Sequence, residues 1–155
     1  MPPPGYTMKS NEAVVARTWV RALLLLLAVG LVLVFAIARW LNPYDEDGRP
    51  LRLEAHRQLG LPPCKFYETF HRPCPSCGLT TSFSLLMHGD ITASLRANAV
   101  GTLLAAFCLA LVPWSVLVAL RGRYLWIRSL ERASLWVVGI FMALLLIRWV
   151  IVFFW

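Results

Sequence analysis

The stretch Ala22-Leu-Leu-Leu-Leu-Leu-Ala-Val-Gly30 is the centre of a mostly apolar run that covers residues 18–38. A helix needs about 20 predominantly apolar residues to cross the hydrocarbon core of a bilayer. Two further runs of that kind lie at residues 99–120 and 134–154. The sequence therefore predicts an all-α membrane protein with three transmembrane helices. The partner that this prediction implies is the lipid bilayer.

The composition points the same way. Of the 155 residues, 59% are hydrophobic and 15% are charged, and the net charge is +7. The arginines cluster at the ends of the apolar runs and form no basic stripe on a soluble domain, so we expect no nucleic-acid partner. We predict a disordered cytoplasmic tail at residues 1–16 and a single membrane domain at residues 17–155.

The first run also has some features of a cleaved signal peptide. Lys9, Arg17 and Arg21 could form its basic region, and Ala36-Ile37-Ala38 resembles a cleavage site. Its apolar core covers residues 22–38, however, which is longer than the usual 7–15 residues of a signal core. We therefore expect the first helix to be retained.

The distribution of arginine predicts the orientation. The short loop 121–133 carries four arginines and one acidic residue, namely Arg121, Arg123, Arg128 and Arg132 with Glu131. Short loops rich in Arg and Lys remain in the cytoplasm. The N-terminus is then cytoplasmic as well, and residues 39–98 form an extracytoplasmic segment at the surface of the cell (inner) membrane.

The segment Cys74-Pro-Ser-Cys-Gly78 is the chemically distinctive part of this extracytoplasmic region. A short apolar helix over residues 82–88, entered through Thr80 or Thr81 as N-cap, should follow it. That helix is too short to span a bilayer, so we expect it to be interfacial or re-entrant. Gly89 and Asp90 should end it and cap the next helix, which we expect to bend or break near Asn98 and Gly101.

Three functions remain open for the outer cysteines, Cys64, Cys74 and Cys77. An extracytoplasmic compartment favours a structural disulfide. Together with His71 or His88, the three thiolates would form a three-sulfur, one-imidazole set that is known from structural zinc sites, so zinc is the cofactor that this hypothesis implies. Thiol-disulfide exchange is the third option, with the Cys74 thiolate stabilised by the N-terminus of the following helix.

The other features are less distinctive. Cys108 lies within the second run, and we expect it to be a small buried apolar residue. Arg148, near the outer end of the third run, is expected to snorkel towards the headgroups. There is no nucleotide-binding loop, serine triad or pair of carboxylates that would predict an enzyme. We expect a non-enzymatic component with a structural or metal-binding thiol site; the alternatives are a membrane oxidoreductase and an accessory subunit bound to a membrane protein partner or to a second copy.

The motif residues also carry a family resemblance. They follow the pattern CP-x-CG-x-T, a short apolar helix, a Gly-Asp step and an Asn before the next span, represented by Cys74, Pro75, Cys77, Gly78, Thr80, Gly89, Asp90 and Asn98. Residues 64–120 thereby resemble a bacterial membrane family, domain of unknown function 2752. Thr81 and Ala99 stand where that family often has Arg and Pro. The resemblance implies the architecture but assigns no activity.

Overall fold

The computed structural model describes residues 18–122 and 130–154, with the side chains of residues 130 and 131 excepted. These ranges contain five α helices and one 3₁₀ helix, and no strand beyond a single isolated bridge between Tyr44 and Pro50. The helices are α1 (Thr18–Trp40), the 3₁₀ helix (Ala55–Leu59), α2 (Lys65–Phe70), α3 (Leu79–Met87), α4 (Ile91–Arg121) and α5 (Leu130–Phe154). Helices α1, α4 and α5 are long and apolar enough to cross a membrane, so the predicted all-α class with three such helices is confirmed.

Helix α1 lies alongside α4 in the opposite direction. Near the start of α1, Val20 and Leu24 pack against Val118 at the end of α4. Near the end of α1, Phe35 packs on Phe83 of α3, with ring centroids 5.8 Å apart. Arg21 Nε also donates a hydrogen bond to the carbonyl oxygen of Ala119, at 2.6 Å. Because the thiol-containing segment lies beyond the end of α1, it is at the opposite end of the bundle from Arg21.

Helix α3 is surrounded by α1, α4 and the 3₁₀ helix. Five consecutive residues of α3, from Thr81 to Leu85, are buried. The helix begins at Leu79, three residues before the expected start at residue 82. Its N-cap is Gly78, so the prediction of a threonine N-cap was wrong. The Thr81 hydroxyl instead accepts a hydrogen bond from the Ala55 backbone N–H at 3.3 Å, because the 3₁₀ helix packs against this side of α3.

Small and hydroxyl-bearing residues allow α3 and α4 to approach closely. Ser94 Oγ lies 2.8 Å from the Ser82 carbonyl oxygen, to which it donates, and 2.7 Å from Thr102 Oγ1. A Cβ atom at Gly101 would collide with Ser82 Oγ and come within 3.2 Å of Leu79 Cδ1. Close approach at small residues, with hydrogen bonds between helices, is typical of helix packing in lipid.

Helix α4 begins at Ile91, directly after Asp90 as expected, and it continues through the predicted apolar run at residues 99–120. The Asp90 carboxylate accepts a hydrogen bond from the Ala93 N–H at 2.9 Å, which agrees with its predicted role as a cap. The helix is interrupted at Asn98, where φ is −157° and ψ is 102°. The break expected near Asn98 is therefore present.

Helix α5 is joined to the rest of the chain chiefly at its C-terminal end. Arg72 Nη1 donates to the Phe153 carbonyl oxygen at 2.9 Å, and the rings of Phe66 and Trp149 meet edge to face at 6.3 Å. None of the most apolar part of α5 is buried by the described chain. Most of its apolar side chains are therefore exposed, and Phe141 in its middle packs on Phe107 of α4, with ring centroids 5.8 Å apart.

Gly78 allows the thiol-containing turn to lie directly against the break in α4. Its φ is +80°, and a Cβ atom would lie 2.8 Å from the Ala97 carbonyl oxygen and 3.1 Å from that of Arg52. Gly89, at the other end of α3, has a φ of +84° but no heavy atom within 4 Å of such a Cβ. Both glycines need a positive φ, which L-residues rarely adopt. Only at Gly78 is there also no space for a Cβ atom.

We therefore expect Gly78→Ala to destabilise the protein more than Gly89→Ala. Holding an L-residue in a left-handed conformation costs roughly 1–2 kcal/mol, which both variants incur. Only Gly78→Ala also forces two backbone segments apart. The midpoint of thermal unfolding of the purified protein in detergent, followed by circular dichroism, measures both losses, and Gly30→Ala, with open space around residue 30, is the control. Equal losses at residues 78 and 89 would contradict the packing described here.

Candidate functional site

Two short segments carry the three cysteines Cys64, Cys74 and Cys77. Cys64 is the N-cap residue of α2 and follows Pro62-Pro63 in the chain. Cys74 and Cys77 lie in a turn that the Cys77 N–H closes on the Cys74 carbonyl oxygen at 3.1 Å. Gly78 then leads directly into α3. Both segments lie at the same end of the bundle, so residues ten or more positions apart can reach one site.

The thiol cluster, defined as Cys64, Cys74 and Cys77, is compact. The three Sγ atoms all lie within 4.8 Å of one another, and those of Cys74 and Cys77 are 3.1 Å apart. All three thiols are free and partly buried. The structure therefore brings Cys64 next to the motif pair.

The two motif thiols differ in acidity. Burial opposes ionisation of Cys74, but hydrogen bonds to its sulfur from Ser76, Cys77 and Cys64 outweigh burial and lower the pKa of Cys74. Burial and the hydrogen bond to Cys74 together raise the pKa of Cys77 to about 12. Of the two thiols, Cys74 therefore ionises first, and the hydrogen bond from Cys77 stabilises its thiolate.

A cavity of about 320 Å³ opens beside the thiol cluster. Its wall includes all three cysteines, three further titratable side chains, Glu54, His56 and Tyr67, and Thr80 of the motif. A cavity of this size has room for a metal ion together with water. The site is therefore accessible to a small ligand, and its lining combines sulfur with a carboxylate and an imidazole.

The two histidines considered from the sequence lie elsewhere. His71 is the exposed C-cap residue of α2, with a φ of 52°, and is outside the group of mutually close ligand atoms. His88 contacts the Ser84 carbonyl oxygen at 2.9 Å and Arg39 Nη1 at 3.0 Å. His56 was not singled out from the sequence, because seven residues, two of them prolines, separate it from Cys64.

Asn98 and Arg148 support the turn that carries the motif thiols. Asn98 Nδ2 donates to the Cys77 carbonyl oxygen at 3.1 Å. Arg148 Nη2 donates to the Ala97 carbonyl oxygen at 3.0 Å, and its charge acts on Cys77 and Cys74. The Arg148 head group therefore turns towards the break in α4 and has a backbone partner there, while its expected snorkelling towards the headgroups stays a prediction.

Most of the remaining motif residues shape the backbone around the site. Gly78 and Gly89 have positive φ at the two ends of α3, and Asp90 caps α4. Pro75 follows Cys74 within the turn and is partly buried. The motif thus combines two thiols with the residues that hold their turn against α4.

The fold and the site together define a class of protein, all-α with three helices apolar enough to cross a membrane and a thiol cluster at one end of the bundle. Within that class, residues 64–112 match the family model described as "Protein of unknown function (DUF2752)". The predicted resemblance to that family is confirmed over these residues. No curated protein and no solved structure gives a significant match to the chain.

The difference in acidity predicts an order of alkylation. In the reduced, metal-free protein at a pH near 8, close to the ordinary thiol pKa, iodoacetamide should modify Cys74 well before Cys77, because the thiolate is the nucleophile. Peptide mass spectrometry at successive times measures the order. Ser76→Ala removes one hydrogen bond to Cys74 and should slow its modification without changing the packing of α3. Modification of Cys77 as fast as Cys74 would contradict the assignment.

Proposed function

We propose that this protein is a small multi-pass membrane protein of the inner membrane whose thiol cluster binds a thiophilic divalent metal, with zinc as the first choice. The observation that carries the proposal is the mutual distance of the three Sγ atoms, all within 4.8 Å. Zinc binds cysteine sulfur at about 2.3 Å in tetrahedral geometry, which separates bound sulfurs by about 3.8 Å. Three converging thiols therefore need only small shifts to ligate one ion.

The acid-base properties of the cluster support the same proposal. Metal ligation requires thiolates, so binding displaces the protons that the free cluster retains. The Cys74 pKa is already lowered, whereas Cys77, with a pKa of about 12, must lose its proton to the metal. Affinity should consequently increase as the pH rises, because fewer protons compete with the ion.

The metal proposal predicts about one zinc ion per chain. The protein would be purified in detergent under reducing conditions without chelator, and its zinc content measured by elemental mass spectrometry. Cys64→Ser, Cys74→Ser and Cys77→Ser should each lose most of the metal, since each removes one of three sulfur ligands. Cys108→Ser is the matched control, because Cys108 lies in α4 outside the thiol cluster, and it should retain the metal. Absence of zinc from the wild-type protein would contradict the proposal.

Thiol-disulfide exchange is the second candidate, favoured by the 3.1 Å separation of the Cys74 and Cys77 sulfurs and by their opposite pKa shifts. The Cys74 thiolate would attack a substrate disulfide and expel one thiolate; Cys77 would then attack Cys74 Sγ and expel the second. The dithiol ends as a disulfide and the substrate as two thiols. A wild-type protein that lacks metal and loses the mass of two hydrogens on treatment with a disulfide would favour this candidate. If the protein loses the same mass but does not catalyse the reduction of further substrate disulfides, the disulfide is structural.

We also propose that the thiol cluster faces away from the cytoplasm. Arg21 and Arg121 lie near the end of the bundle opposite to the cluster, and arginine-rich ends remain in the cytoplasm. The arginine-rich loop that includes Arg123 falls mostly outside the described residues, as does the predicted tail at residues 1–16. The outward-facing apolar side chains of α5 support lipid as the surrounding partner, or a membrane protein or second copy in its place.

Single-cysteine labelling tests this orientation. In a variant without native cysteines, Asp47→Cys should react with a membrane-impermeant maleimide in intact cells, because residue 47 lies in the exposed loop after α1. Arg121→Cys, at the end of α4, should react only after the membrane is permeabilised. The reverse pattern would invert the orientation and leave the metal proposal unaffected.

A further inference from the structure

We infer that His56 is the fourth protein ligand of the metal, that it binds through Nδ1, and that it completes a three-cysteine, one-histidine set with Cys64, Cys74 and Cys77. This inference rests on the proposed metal-binding function. It assigns the imidazole to a residue outside the segment that matches the family model. A set of three sulfurs and one imidazole is an established zinc composition, and it closes the tetrahedron.

The position of His56 is the first argument. The residue lies in the 3₁₀ helix and lines the same cavity as the three cysteines. It is partly buried, whereas His71 is exposed on the C-cap of α2. The ring nitrogens of His56 do not lie within 4.8 Å of all three sulfurs. Ligation therefore requires the imidazole to approach the thiols across the cavity that already connects them.

The tautomer of His56 is the second argument. Its Nε2 lies 3.3 Å from the Pro62 carbonyl oxygen. A carbonyl oxygen can only accept, so the hydrogen bond requires the proton on Nε2 and leaves the lone pair on Nδ1. Histidine ligands usually donate their other ring N–H to a carboxylate or a backbone carbonyl, which fixes the tautomer and the ring orientation. His56 thus already has the second hydrogen bond that a ligating histidine needs.

The local backbone is the third argument. Glu54, immediately before the 3₁₀ helix, has a φ of 69°, a conformation that costs a non-glycine residue energy and that clusters at functional sites. Ala55 is fully buried and its N–H is bound to Thr81 of α3. The carbonyl that holds the His56 ring belongs to Pro62, two residues before Cys64. One loop anchored to α3 therefore presents both the imidazole and the third thiol.

Glu54 is the competing ligand on this wall of the cavity. Its carboxylate is already engaged by Arg57, with Oε2 and Nη1 3.2 Å apart. An imidazole also suits zinc beside thiolates, and it adds no fourth negative charge to the cluster. These two considerations favour His56 over Glu54.

X-ray absorption at the zinc edge tests the assignment on the full-length protein in detergent. The wild-type spectrum should fit three sulfurs and one nitrogen, with the multiple scattering typical of imidazole. In His56→Ala the imidazole scattering should disappear while the three sulfurs remain, and the zinc affinity measured by chelator competition should fall by about tenfold or more. His71→Ala is the matched control and should retain both the imidazole signal and the affinity.

The outcomes separate this inference from the function on which it rests. A wild-type protein without zinc refutes the metal-binding proposal itself. If the wild-type protein binds zinc through three sulfurs, two results overturn the His56 assignment alone. These are an imidazole signal that survives in His56→Ala and an imidazole signal that disappears in His71→Ala. If His56→Ala fails to fold, His56→Gln keeps a side chain of similar reach that can donate to Pro62, and the same loss of imidazole scattering is expected from it.

Discussion

The break at Asn98 in α4 is the constraint on which the site depends. Where a helix is interrupted, backbone groups lose their partners and must find others. Asn98 Oδ1 accepts the Gly101 N–H at 3.0 Å, and Asn98 Nδ2 reaches out to the Cys77 carbonyl oxygen. The Ala97 carbonyl oxygen is released from the helix and accepts from Arg148. One irregular residue thereby connects the thiol-containing turn, α4 and α5.

This arrangement also accounts for a charge within an apolar helix. An arginine inside a membrane-spanning segment is unfavourable unless it meets a partner. Arg148 finds a backbone carbonyl at the break and lies within electrostatic range of Cys77 and Cys74. A zinc ion with three thiolates and a neutral imidazole carries one net negative charge, which a guanidinium nearby would compensate. The weak packing of α5 elsewhere makes this contact one of its main attachments to the site.

The features that sequence reasoning predicted correctly are those with a local physical cause. Long apolar runs specify the three long helices, Asp90 caps α4 through its own side chain, and Asn98 disrupts the helix in which it lies. The start of α3 was misplaced, because Thr81 bonds to Ala55, a residue distant in the chain. The inward turn of Arg148 and the position of His56 beside the thiols also depend on tertiary contacts, which no spacing rule encodes.

The polar interior beneath the site explains why the turn can be held rigidly at the end of an apolar bundle. Ser94 and Thr102 are almost fully buried and are bonded to each other, to Ser82 and to the Asn98 carbonyl oxygen. In an environment without water, each such group would be strongly unfavourable if left without a partner. Any shift of α3 relative to α4 would break several of these bonds at once. Because Gly78 and Cys77 continue directly into α3, the same network that fixes this helix fixes the position of two thiols.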